Sequence, residues 1–219
     1  MTFPLLWVLA AAYLVTAIVN LASAWTFREG ARKVSKCLLM PVLLAVYLVG
    51  ARPFLITALL ALVFCWIGDV LLIRKEEPKF FRLGLGAFLL GHVFYIIAFF
   101  TLAGGVNVGA LLGSILVAIP LCIALLRYIN ASQEMRIPVA VYAVVIFAMS
   151  IAALQLFLNR PSGATLTLFI GSLVFMFSDA MMAYLLFHNR PKQFNFITMV
   201  PYIVAQALIM FGLVTMGRI

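Results

Sequence analysis

The sequence predicts an all-α, polytopic membrane bundle of eight transmembrane helices, and three observations predict it. Of 219 residues, 67% are hydrophobic and 10% charged, against about 45–50% and about 25% in soluble domains. A soluble core of this length cannot hide that much apolar surface. The apolar residues fall into eight stretches near the roughly 20-residue length of a spanning helix, which leaves about seven residues per connection. The basic residues gather in alternate connections, as in cytoplasmic membrane loops. The formal charge of +9 reflects six acids against fifteen bases, spread between apolar runs rather than collected in a patch. Soluble, disordered and nucleic-acid-binding classes are excluded.

The expected spans form one transmembrane domain over residues 1–219: Phe3–Trp25, Ser35–Gly50, Pro53–Ile73, Leu83–Ala103, Val106–Leu126, Ile137–Leu158, Ala164–Phe187 and Phe194–Met216. The first has no basic segment before it and is nearly span-length, so it reads as a helix rather than a cleaved leader. The second is short, and Ala51 and Arg52 alone join it to the third in a tight hairpin. The third ends before Arg74 and Lys75, the fourth follows Arg82, and the fifth stops before Arg127. The sixth follows Arg136 and ends at Arg160-Pro161-Ser162-Gly163, where Pro and Gly break helices. Arg190-Pro191 closes the seventh, and the eighth ends the chain. Each span must be helical, because unpaired backbone groups are too costly in lipid and barrel alternation is absent.

Charge placement orients the bundle. The first, third, fifth and seventh connections hold Arg28, Arg32, Lys33, Lys36, Arg74, Lys75, Lys79, Arg82, Arg127, Arg136, Arg190 and Lys192. The other side holds Arg52, Arg160 and Arg218. This split puts the basic loops in the cytoplasm and both termini outside, and the short loops suit a bacterial inner membrane. Gly68-Asp69-Val70 and Ser178-Asp179-Ala180, half a chain apart, suggest a 4+4 parallel repeat, as do Pro41-Val42 with Tyr47 and Pro138-Val139 with Tyr142.

Ionisable groups inside the bilayer need a reason. Glu29, Glu76, Glu77 and Glu134 are in loops; Asp69 and Asp179 are in spans. At about 1.5 Å per residue, Asp69 lies roughly 6 Å, Asp179 roughly 12 Å and His92 roughly 14 Å from the cytoplasmic side. Gly68 and Ser178 let a neighbouring helix approach. A helix-packing pair satisfied by Tyr, Ser or Lys is the plain alternative for the two Asp, and a hydrogen-bonded core residue the plain alternative for His92. Tyr95 shares the face of His92. Lys36 opens the second span, where it can snorkel or bind a phosphate. Tyr142, Gln155, Asn195, Tyr202 and Gln206 are the other interior polar candidates, and His188 is interfacial. No second His, Cys or Glu joins His92, so no metal site is expected. Cys37, Cys65 and Cys122 lie in apolar runs and form no disulfide framework. The residues together imply a polar pocket in the cytoplasmic half with apolar walls. It suits an amphiphile with its headgroup at the surface, or a proton or small-solute pathway.

At these residues the sequence resembles the YhhN, or lysoplasmalogenase, family of eight-span membrane proteins. The matching stretches are Lys36-Cys37-Leu38-Leu39-Met40-Pro41, Gly68-Asp69-Val70-Leu71-Leu72, Gly86-Ala87-Phe88 with His92 and Tyr95, Pro138-Val139-Ala140-Val141-Tyr142, Ser178-Asp179 with Ala183, and Tyr202 with Ala205-Gln206. Where the family often has two adjacent tyrosines before Ala-Gln, this chain has Pro201 and Tyr202. The resemblance implies hydrolysis of the vinyl ether bond of a lysophospholipid substrate, giving a fatty aldehyde and a glycerophospho-ethanolamine or -choline. No cofactor and no nucleic acid are expected. Protonation of the alkene makes an oxocarbenium ion to which water adds, a chemistry that uses one protonated and one ionised carboxyl group. Asp69 and Asp179 are then the acid–base pair and His92 the water-orienting or proton-shuttling group. Tyr95, Tyr142, Tyr202 and Gln206 line the substrate pocket, and Lys36 receives the phosphate. The rival classes are a proton-coupled transporter of a small or amphiphilic solute, and a lipid-binding scaffold.

Overall fold

A computed structural model describes residues 2–188, 191 and 193–216. Eight helices follow one another: α1 Thr2–Trp25, α2 Glu29–Gly50, α3 Ile56–Leu71 with a 3-10 turn at Leu72–Arg74, α4 Pro78–Ala103, α5 Val108–Ile129, α6 Arg136–Asn159, α7 Gly163–Phe187 and α8 Phe194–Thr215. Among the described residues there is no strand, and all eight helices are long and apolar enough to cross a membrane. The expected bundle is therefore observed. Three expected loop charges, Arg190, Lys192 and Arg218, lie outside the described residues.

Helix α2 begins at Glu29, six residues before the expected span. Hydropathy finds the apolar window, but the basic turn ahead of it is helical too. Glu29 and Arg32 pair along the first turn, and buried Asn20 of α1 donates to the Arg32 carbonyl and the Ser35 hydroxyl. Lys36 is thus about 10 Å inside the helix rather than at its start. The link from α2 to α3 runs from Ala51 to Leu55, longer than the expected pair of residues. The Tyr47 hydroxyl ties it, donating to the Leu55 carbonyl and accepting from the Leu55 N–H.

Packing arranges α2, α3, α4, α6, α7 and α8 as a closed ring, with α1 outside against α2 and α8. Helix α5 is also peripheral, and only Cys122 and Ile129 on it are buried. Its large side chains face outward, as lipid solvent allows. A 4+4 repeat is not established by this packing. It would seat α5 chiefly on α6 and α4, whereas its principal contacts are with α6 and α7.

Two local devices fix the α2–α3–α4 wall. Pro41 has no N–H for the Cys37 carbonyl one turn back, and the Trp66 indole of α3 donates to that carbonyl at 3.0 Å. Gly68 lets the Phe88 ring of α4 lie against α3: a Cβ there would be 2.5 Å from the ring. Gly68→Ala is expected to destabilise the bundle by about 1–3 kcal/mol through overpacking. Gly86→Ala, with open space around it, should be neutral. Thermal unfolding in detergent compares them, and equal midpoints would discount the Gly68–Phe88 contact.

Candidate functional site

The two spanning carboxylates reach one cavity from opposite sides of the ring. Asp69 is in the last turn of α3 and Asp179 is on α7, and both line a cavity of about 40 Å³. At about 10–15 Å³ per water, that is room for about three or four waters.

Their partners differ. Asp69 is 1% exposed. Its Oδ1 is 3.3 Å from the Lys36 ammonium of α2, and its Oδ2 accepts from the Tyr202 hydroxyl of α8 at 2.6 Å. Behind Tyr202, Gln206 Nε2 donates to the Tyr202 hydroxyl at 3.5 Å, and Gln206 Oε1 accepts from Tyr95 at 3.4 Å. Every donor in this chain points toward Asp69, an arrangement that favours negative charge there. Asp179 accepts from the Tyr142 hydroxyl of α6, and among the described residues no cation is at ion-pair distance from it. Ser178, its neighbour, is buried against α8 with its hydroxyl 3.4 Å from the Thr198 carbonyl.

The remaining expected residues divide between the cavity and its surroundings. Lys36, Asn195 and Tyr202 line the cavity. Tyr142 carries Asp179, while Tyr95 and Gln206 stand behind Tyr202. His92 is fully buried and is not on the cavity wall. It packs edge-on to Tyr142 and Phe175, at ring separations of 5.4 and 4.8 Å. Its Nδ1 is 2.7 Å from the Phe88 carbonyl. A carbonyl only accepts, so Nδ1 carries the hydrogen, and Nε2 is a buried acceptor with no hydrogen-bond partner among the described residues. Gln155 belongs to the other end of the bundle, where it accepts from the Asn107 N–H. His188 caps α7 and stacks on Tyr184. Among the described residues no three His, Cys, Asp or Glu side chains converge as metal ligands would.

Three residues were not singled out as site candidates. Arg32 and Lys75 line the cavity at its basic end, and Arg32 stands one turn before Lys36, a spacing readable once α2 is known to be helical there. Tyr13 is buried, with its hydroxyl donating to the Ile203 carbonyl beside Tyr202.

The sequence model of the YhhN family matches residues 31–213, from the start of α2 to the end of α8. The chain belongs to the YhhN family. No curated protein and no solved structure matches it. The YhhN match spans every residue that lines the cavity, and it leaves out all of α1, the helix without a motif.

Proposed function

We propose that this YhhN protein is an integral-membrane hydrolase that cleaves the vinyl ether bond of lysoplasmalogens. The products are a fatty aldehyde and a glycerophospho-ethanolamine or -choline. The observation that carries the reading is the pair of carboxylates on one small cavity with unequal partners. Asp69, beside an ammonium and a phenol, is the ionised member. Asp179, with a phenol and, among the described residues, no cation at ion-pair distance, is the proton donor.

Asp179 protonates the outer alkene carbon, and the oxocarbenium ion that results is stabilised by the Asp69 carboxylate. Water adds to the inner carbon and passes its proton to Asp69. The hemiacetal then collapses: Asp69 returns its proton to the departing glycerol oxygen, and Asp179 takes the hydroxyl proton. Both groups end as they began, and one water is consumed. Hydrolysis through such a cation by two carboxyl groups parallels glycoside cleavage. Tyr142 and Tyr202 hold the carboxyl groups in place, and His92 positions Tyr142 from behind. The bundle lies with its basic end in the cytoplasm and its termini outside, in accord with the excess of basic residues at that end.

The test is aldehyde release from a lysoplasmalogen by purified protein in detergent. Release above that of an Asp69→Asn/Asp179→Asn control supports the reading, and folded wild type without release overturns it. A second reading, proton-coupled transport, is favoured by one observation: the Tyr202–Gln206–Tyr95 chain leads from the cavity deeper into the bundle. Proton-driven solute flux in liposomes distinguishes it.

A further inference from the structure

We infer that Arg32, Lys75 and Asn195 form the subsite that receives the substrate phosphate, one helical turn nearer the basic end than the carboxylates. The inference rests on reading the substrate as a lysolipid with a glycerophosphate headgroup.

Charge assignment comes first. Among the described residues, three cations line the cavity: Arg32, Lys36 and Lys75. The Lys36 ammonium is directed at Asp69, and a phosphate placed there would compete with that carboxylate. The other two cations stand at the starts or ends of their elements, on α2 and just after the 3-10 turn. Asn195 faces them from the first turn of α8.

Each side chain is held in place for the task. Arg32 is 7% exposed. Its Nε and Nη2 donate to Glu29 at 3.1 and 2.5 Å, which uses one edge of a guanidinium with five N–H groups. The other edge is left for an incoming oxygen, and an anchored guanidinium loses less freedom on binding phosphate. Lys75 donates to Asn195 Oδ1 at 2.6 Å and lies over the Phe194 ring at 4.1 Å. The Lys75–Asn195 contact lies at the basic end of the cavity. Entry of a headgroup requires that contact to open, and a phosphate oxygen then takes the place of the Asn195 carbonyl on Lys75, while the released Asn195 side chain turns its Nδ2 donor toward the phosphate.

The spacing matches the substrate. Arg32 and Lys36 are four residues apart on one face of α2, about 6 Å along the axis. In an extended glycerophospholipid the phosphorus and the sn-1 oxygen are five bonds apart, also about 6 Å at ordinary bond lengths. A phosphate on Arg32 and Lys75 therefore sets the vinyl ether level with Asp69.

The test uses two uncleavable ligands on the full-length protein in detergent: 1-O-alkyl-glycerophosphoethanolamine and 1-O-alkylglycerol, which lacks the phosphate. Wild type is expected to prefer the phosphorylated ligand by about tenfold or more, the scale of hydrogen bonds to a charged group. Arg32→Gln and Lys75→Gln should each remove about tenfold of that preference and leave alkylglycerol binding unchanged. Exposed Lys33→Gln should change neither. Arg32→Lys, which keeps the charge and loses the planar edge, covers the case in which Arg32→Gln does not fold. No preference in wild type, or full preference in folded variants of both residues, overturns the subsite. Millimolar inorganic phosphate should not displace the ether lipid; displacement would make the site one for free phosphate and overturn the lipid assignment. Because neither ligand is cleaved, a retained preference without aldehyde release from vinyl ethers would overturn the hydrolase reading and keep the subsite.

Discussion

If the proposed hydrolysis holds, Asp69→Asn and Asp179→Asn are each expected to reduce aldehyde release by about 10²–10⁴-fold or more, the range of a lost general acid or base, while the bundle stays helical and monodisperse. Asn is nearly isosteric with Asp and keeps an oxygen for the Tyr202 or Tyr142 hydroxyl, so packing is preserved at both positions. The stability effects differ, because the partners differ. Asp69→Asn leaves the Lys36 ammonium, 12% exposed, without its counter-ion, and a broken buried pair costs about 3–5 kcal/mol unless the survivor neutralises. Asp179→Asn strands no cation and should leave the unfolding midpoint near that of wild type. A folded variant of either residue that keeps turnover within tenfold of wild type would remove that residue from the chemistry. Equal loss of stability at both sites would contradict the unequal pairing.

The eight helices were legible because lipid allows so few alternatives. A spanning segment must satisfy its own backbone, so apolar length alone predicts helix, and the observed helices fall on the expected stretches. The start of α2 was less legible, since Glu29 to Lys36 is too polar for a hydropathy window and is helical through the Glu29–Arg32 pair and the Asn20 clamp. That difference moved Lys36 inward, against Asp69. Depth was partly readable: it placed Asp69 and Asp179 in the cytoplasmic half, about a helical turn apart, and one cavity holds both. Rotation about the helix axis was not readable. Helices apolar on all sides give no stripe to orient, and His92 lies off the cavity wall against Tyr142 and Phe175, while Gln155 secures the Asn107 loop at the far end. Ring order was equally hidden: nothing in the sequence sets α6 against α4 and leaves α5 outside. The ordered motifs from Lys36 to Gln206 carried the family resemblance, and the YhhN match over 31–213 agrees with it.

Lys36→Met is the sharpest test of how charge is divided in the site. The ammonium is 3.3 Å from Asp69, so its loss should act on the carboxylate rather than on the substrate headgroup. The expected result is a fall in kcat of about tenfold or more with KM for lysoplasmalogen changed little, the pattern of an interaction that matters in the transition state. Stability should fall too, since among the described residues Asp69 would be left buried with only Tyr202 donating to it. The double variant Lys36→Met/Asp69→Asn is expected to be inactive in the proposed hydrolysis but more stable than the two single losses added together, with a coupling of about 2–3 kcal/mol for groups in direct contact. Additive losses would show that the two side chains do not act as a pair. A tenfold rise in KM confined to the phosphorylated substrate, with kcat intact, would instead return Lys36 to the role of phosphate receptor and take that role from Arg32 and Lys75.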